Sequence, residues 1–272
     1  MSELDYTQKP GKGDYDVNQF FDLGTAPFNV ADHTIFSCIS GSRAYGMNTE
    51  TSDTDVRGIV VPPGKYFFGL GNFEQVENQS KDVCYFALKK WAYLAYQNNP
   101  HALELLYMPD DSVTVSTPFY ETLKSRRDMF LSKKMGYTFG GYAWTQLMTM
   151  RTKITNHTGR QGLIQQFGYD TKMLAHAVRL YRMGYEALTE GVLNVRRPDA
   201  EELKEIRAGK YTYEEAVTFE QDGKNWLLTG GLLKDESDRF KAAFESSTLP
   251  KEPNFSHVEQ LVMQVHADYR NR

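Results

Sequence analysis

Gly41-Ser42 and, eleven residues beyond Ser42, Asp53-Thr54-Asp55 are the residues of this 272-residue chain whose types and spacing best suit chemistry. The run Thr34-Ile35-Phe36-Ser37-Cys38-Ile39-Ser40 is β-branched and apolar, and reads as a buried strand that ends at Gly41. A glycine at such a turn lets backbone approach a ligand closely, and the free N–H groups of a helix opening at Ser42 favour an anion, so the turn suits a polyphosphate. A second strand is expected from Thr54 through Val61, stopped by Pro62-Pro63. Side chains alternate along a strand, so Asp53 and Asp55 project to the same side. Two carboxylates held side by side repel unless a cation lies beside them. Hard oxygen ligands of this kind suit Mg²⁺, with a nucleotide phosphate filling out its octahedron. A phosphate turn joined to a metal-binding acid pair points to nucleotidyl transfer.

The elements that position these residues fall into two halves. Strand patterns near 34–40, 54–61 and 82–87 predict a mixed sheet, with helices over Phe86 to Asn98 and Pro118 to Leu131. Beyond about residue 130 strand signals fade, and amphipathic helices are expected at 136–156, 170–190, 199–208 and 255–270. The reading is therefore an α/β (α+β) catalytic domain over 1–130, with a polar tail at 1–30, followed by a mainly α-helical domain over 131–272. With no repeat or long linker between them, the two are expected to pack closely with the cleft at their junction. An apolar content of 40% can supply a core for each, and 13% aromatic content argues against disorder. Cys38 and Cys84 are the only cysteines, so no disulfide framework or cysteine-rich zinc site is available. His33, His101, His157, His257 and His266 show no metal-ligand spacing. No apolar run reaches the length of a membrane span, and a cytoplasmic protein is expected.

Net charge is −4, yet residues 124–182 carry eleven basic side chains against Asp128 and Asp170, a local excess of +9. The bases are Lys124, Arg126, Arg127, Lys133, Lys134, Arg151, Lys153, Arg160, Lys172, Arg179 and Arg182, interleaved with Tyr137, Phe139, Tyr142, Trp144, Phe167 and Tyr169. Such a block suits a triphosphate or an RNA backbone; a solvated helix face over core aromatics is the plainer alternative. On the helix from Asp170, Leu174, Ala177, Val178, Tyr181, Tyr185 and Leu188 form one stripe, with Lys172, His176 and Arg179 on the other side. These three face either water or the cleft.

Gly41-Ser42-Arg43-Ala44-Tyr45-Gly46 followed by Ser52-Asp53-Thr54-Asp55-Val56-Arg57-Gly58 resembles the signature of polymerase-beta-superfamily nucleotidyltransferases, in particular the RNA-repair-associated branch. Asp82-Val83 leading to Leu88-Lys89-Lys90, Asn99-Pro100 with Leu103-Glu104-Leu105-Leu106, and Lys172, His176 and Arg179-Leu180 extend the likeness over roughly residues 30 to 220. The resemblance implies a nucleotidyltransferase-type mixed sheet and transfer of a nucleoside monophosphate from a nucleoside triphosphate to an acceptor hydroxyl. It implies two Mg²⁺ ions, with Mn²⁺ as a substitute, and three carboxylates, for which Asp53, Asp55 and Asp82 are the candidates. Asp82 read by itself is also an ordinary strand-entry aspartate. Gly41, Ser42, Arg43, Lys172, His176 and Arg179 are the nucleotide-binding candidates. Glu104, in a helical run, suits packing or capping. Arg57 suits either phosphate charge or a strand carboxylate. An RNA (tRNA-like) 3′ end is the favoured acceptor; a protein hydroxyl, a small-molecule hydroxyl and a non-catalytic nucleotide sensor remain open, as do the preferred base and the oligomeric state.

Overall fold

The computed structural model describes residues 26–152 and 158–272. They form two compact units, one running to Phe130 and taking in Pro253–Arg272, the other Leu131–Glu252. The first unit is built on β1 (Thr34–Ser40), buried at all seven positions as its apolar, β-branched run requires of an interior strand. It feeds the single turn of α1 (Gly41–Tyr45), which Gly46 ends in a left-handed conformation at φ 75°. β2 (Asp55–Val60) returns antiparallel to β1. β3 (Gln75–Glu77) and β4 (Val83–Ala87) follow, β4 lying parallel to β2 and antiparallel to β3. After α2 (Leu88–Tyr96) and α3 (Pro100–Glu104), β5 (Val113–Ser116) pairs antiparallel with β1 and leads to α4 (Pro118–Lys124). The sheet order is β3-β4-β2-β1-β5.

One sheet face is sealed by Val30, Val56, Val60, Val76 and Tyr85. Residue 58 must be glycine there, because a Cβ would stand 2.3 Å from the Tyr85 ring, whose hydroxyl is hydrogen-bonded to Ser37 at 2.9 Å. On the other face Phe36 stacks on Tyr120 of α4 at 3.9 Å between centroids. Asn99 and Thr117 cap α3 and α4, each with a proline at the first helical turn, which explains why these short helices start where they do.

The second unit comprises α5 (Met135–Thr152), α6 (Thr158–Phe167), α7 (Thr171–Glu190), α8 (Ala200–Arg207), α9 (Tyr213–Ala216), the hairpin β6 (Thr218–Asp222) and β7 (Asn225–Gly230), and α10 (Leu232–Ser246). α7 is its axis. The Asp170 side chain caps it by accepting from the Met173 N–H at 3.1 Å, Gly191 closes it at φ 69°, and α5, α8 and α10 surround it. α11 (Phe255–Arg270) returns to the first unit, against α2 and α4, where Phe255 meets Tyr96 and Tyr269 meets Phe119.

The fold is thus the expected mixed α/β sheet followed by a helical region. Strands do recur after residue 130, however: β6 and β7 form a largely exposed hairpin in the second unit, whose β6 is mostly polar and whose apolar run is only Trp226-Leu227-Leu228, too short to stand out as a buried strand. α10 and the short β3 and β5 also lay beneath the sequence pattern. The helix expected over 118–131 stops at Lys124, where a 3-10 turn, Arg127–Phe130, replaces it. Residues 153–156 of the helix expected over 136–156 lie outside the described residues, as does the tail to residue 25.

Candidate active site

Direct partners in a ladder share a sheet face, and so do alternate residues along a strand. The registers therefore set Ser40 and Asp55 in one row and Cys38, Arg57, Cys84 and Glu77 in the next, opposite the Val56–Tyr85 layer. Val56 pairs with Val83 in parallel register, and its N–H donates to the Asp82 carbonyl at 2.7 Å. Carried back one residue, that register sets Asp82 beside Asp55. Two of the three expected acids so open neighbouring strands, while Asp53 precedes β2 and is exposed.

The close approach of Gly41 to Asp55 defines the site. Gly41 has φ +63°, and a Cβ on it would stand 2.2 Å from Asp55 Oδ2. Glycine is required there twice over, for the backbone angle and for the space the carboxylate fills. α1, which carries Ser42, is tied down from below: the buried Tyr45 hydroxyl donates to the buried Glu104 carboxylate at 2.8 Å. Glu104 has the packing role its helix suggested, and that packing aims the turn.

Both arginines of the motif are engaged with backbone. Arg43 Nη2 donates to the Ser52 carbonyl at 3.0 Å, beneath a loop that Ser52 itself closes through bonds to Thr49. Arg57 Nη1 donates to the carbonyls of Val56 at 2.9 Å and Asp82 at 2.7 Å, and its Nη2 lies 3.9 Å from Asp55 Oδ1. Of the two readings of Arg57, the strand carboxylate is the partner seen. Cys38 and Cys84 are free and buried. Burial pushes the Cys84 thiol up to about 12, against the pull of Arg57, and Cys38 higher still, so neither is a thiolate nucleophile. Glu77, unremarked in the sequence because β3 is only three residues long, is a further acid on this face, opposite Cys84.

The donor set fits a hard divalent cation. It is carboxylate oxygen only, set against a turn whose bare Cα makes room for one of the acids. Among the described residues, no three His, Cys, Asp or Glu side chains gather closely enough to form a metal cage, so Asp53, Asp55 and Asp82 are not one ready-made cluster. Mg²⁺ characteristically takes one or two carboxylates and completes its shell with water and substrate phosphates, and Asp55 and Asp82 are two carboxylates at the heads of neighbouring strands.

In the second unit Lys172 is exposed, His176 half-buried and Arg179 only 1% exposed. Arg179 Nη1 donates to Met183 Sδ at 2.9 Å, and Nη2 lies 3.2 Å from His176 Nε2. The sequence reading, which kept all three outside the core, is corrected for Arg179: α7 is enclosed on several sides, so its polar stripe does not coincide with solvent. The basic block divides similarly. Phe139 and Tyr169 are core, and Arg182 is held by Asp199, Glu202 and Glu236, each at 2.7 Å. Lys124 and Lys134 meet Asp110 and Glu252, and Lys153 lies outside the described residues.

The first unit is thus a mixed α/β sheet whose glycine turn is set against the acid that opens the next strand. The chain belongs to the RNA repair pathway DNA polymerase beta family, RlaP, whose model matches residues 22–195. No curated protein and no solved structure matches it. Family membership makes it a polymerase-beta-like nucleotidyltransferase of an RNA repair pathway, in a class that uses divalent metals and acts on nucleoside triphosphates and nucleic acids. No helix among the described residues is long and apolar enough to cross a membrane.

Proposed function

We propose that the chain transfers a nucleoside monophosphate from a nucleoside triphosphate to the 3′ hydroxyl of an RNA, using Asp53, Asp55 and Asp82. The observation that carries this reading is the contact of the Gly41 turn with Asp55, which brings a phosphate-binding backbone against a carboxylate. The hydroxyl oxygen attacks the α-phosphorus, the bond from that phosphorus to the β-bridging oxygen breaks, and pyrophosphate leaves. Asp82 accepts the hydroxyl proton. Ser42 and the amides at the start of α1 hold the β- and γ-phosphates, while Arg57 limits the repulsion between Asp55 and the incoming triphosphate. Mg²⁺ held by Asp53 and Asp55, with Asp82, would lower the pKa of the attacking hydroxyl and offset charge on the leaving group.

The test is incubation of purified protein with each labelled nucleoside triphosphate and Mg²⁺, in turn with total tRNA, with the protein alone and with no acceptor. Label should pass to RNA, and Asp53→Asn or Asp55→Asn should remove transfer by at least a hundredfold while melting no lower than the parent, because loss of one like charge relieves repulsion. Activity within tenfold of wild type in either variant would sink the carboxylate mechanism. Label on the protein with none on RNA would replace the acceptor.

A further inference from the structure

Between Asp128 and Asp170 the chain contains no aspartate or glutamate at all, although 35 of its 272 residues are acidic. That acid-free segment supplies α5 and α6. α5 is not amphipathic in the usual way, since it also carries aromatic residues on its outer side: Tyr137 is 73% exposed and Trp144 37%. Each ring is held edge-on by a neighbour in the same unit, Tyr137 by Phe244 at 5.3 Å between centroids and Trp144 by Phe219 at 6.4 Å. Between them lies Gly141, where an added Cβ would meet nothing within 4 Å. Two turns of helix separate the rings, a rise of ~10 Å, the length of about three stacking steps of a nucleic-acid strand.

We propose that this outer face of α5, with Tyr137 and Trp144 flanking the open position at Gly141, is a stacking platform for single-stranded RNA. The occupant is argued from charge. An acid-free helix face offers a phosphate chain no repulsion, and the guanidinium of Arg151, over the Trp226 ring at 4.2 Å, lies at its far end. The nearby acids of the hairpin, Glu220 and Asp222, alternate with Phe219 and Gln221 and so take the hairpin face opposite Phe219. Aromatic rings in fixed orientation beside positive charge bind bases without regard to sequence. The choice of RNA over another polyanion rests on the proposed RNA acceptor; the surface itself does not require catalysis.

The test is fluorescence anisotropy of a labelled twelve-nucleotide single-stranded RNA, without nucleoside triphosphate, on the full chain and on the full chain carrying Asp55→Asn. Binding is expected to be equal in the two, which separates this surface from the transfer reaction. Tyr137→Ala should weaken binding about five- to a hundredfold. Gly141→Leu, a better helix former in open space, should preserve folding yet weaken binding by filling the gap. Thr145→Glu and Thr145→Lys, on the same exposed face, should shift affinity in opposite directions, and both shifts should shrink as salt rises. Affinities within twofold of the parent in Tyr137→Ala and Gly141→Leu would overturn the proposal, whether or not the protein transfers nucleotide. A change in oligomeric state by light scattering in those variants, with RNA affinity unaltered, would overturn it in favour of a second copy of the chain.

Discussion

At the scale of single residues, Gly41 carries more than flexibility. Its φ of +63° lies in the region that L side chains adopt only with strain, and its missing Cβ is replaced by the Asp55 carboxylate. Gly41→Ala should therefore act twice. It should destabilise the fold by about 1–2 kcal/mol in urea melts, and it should displace Asp55, cutting turnover well beyond what that loss of stability explains; unchanged turnover would show that Asp55 need not sit there. Lys172 and Arg179 now separate. Lys172→Ala should leave the melting temperature alone, since the side chain is exposed. Arg179→Ala should lower stability by about 2 kcal/mol or more by hollowing the core, read as an earlier urea midpoint. The turn at Gly41 was legible because an apolar, β-branched run stops at a glycine, the one residue that takes its φ without strain. Arg179 was not, because helical periodicity reports which side chains share a stripe, and only the neighbouring helices decide whether that stripe meets solvent.

Elements were legible in proportion to how far their own side chains fix them. β1 was readable as an apolar run because it is buried on both faces, and β2 and β4 from the β-branched and aromatic residues that carry most of their buried positions. β3 and β5 hold three and four residues and exist because longer neighbours recruit their backbone. The second unit depends on charge as well as apolar packing. Arg182 on α7 bonds Asp199 and Glu202 near α8 and Glu236 on α10, while Arg197 bonds Glu186 and Asp199. Burial pushes the Asp199 carboxyl up, but hydrogen bonds from Arg197 and Arg182 outweigh it and hold the group below the usual range; Arg182 likewise lowers Glu202. Carboxylates depressed in the folded state stabilise it above their unfolded pKa near 4, and that contribution is lost as pH falls through their lower folded values. The wild-type melting temperature should accordingly drop between about pH 4 and 2. Arg182→Met, which leaves the buried Glu236 without this partner, should start about 3 kcal/mol less stable at pH 7 and lose less on acidification. Equal pH slopes in the two proteins would remove the network from the account.

At the scale of the whole molecule, the chain enters the second unit after Phe130 and leaves it before Pro253. The two crossings lie together: the Lys133 N–H donates to the Pro250 carbonyl at 2.8 Å, and Lys134 pairs with Glu252 at 3.5 Å. A segment whose ends meet and which owns its core should fold by itself. Residues 131–252 expressed alone should give a cooperative, helix-rich melt by circular dichroism, and a broad, non-cooperative transition would show that the unit depends on the rest of the chain.

The return of α11 to the first unit also sets an order in time. Synthesis delivers β1 to β5 first, then all of the second unit, and only afterwards the helix that lays Tyr269 against Phe119 and His33. While the ribosome is still making residues 131–252, the sheet bearing Asp55 waits with its α2 and α4 flank uncovered, so the inserted unit matures ahead of the unit that precedes it. A nascent chain that stalls before Pro253 would thus carry a finished helical unit on an unfinished sheet unit, completed only when α11 emerges.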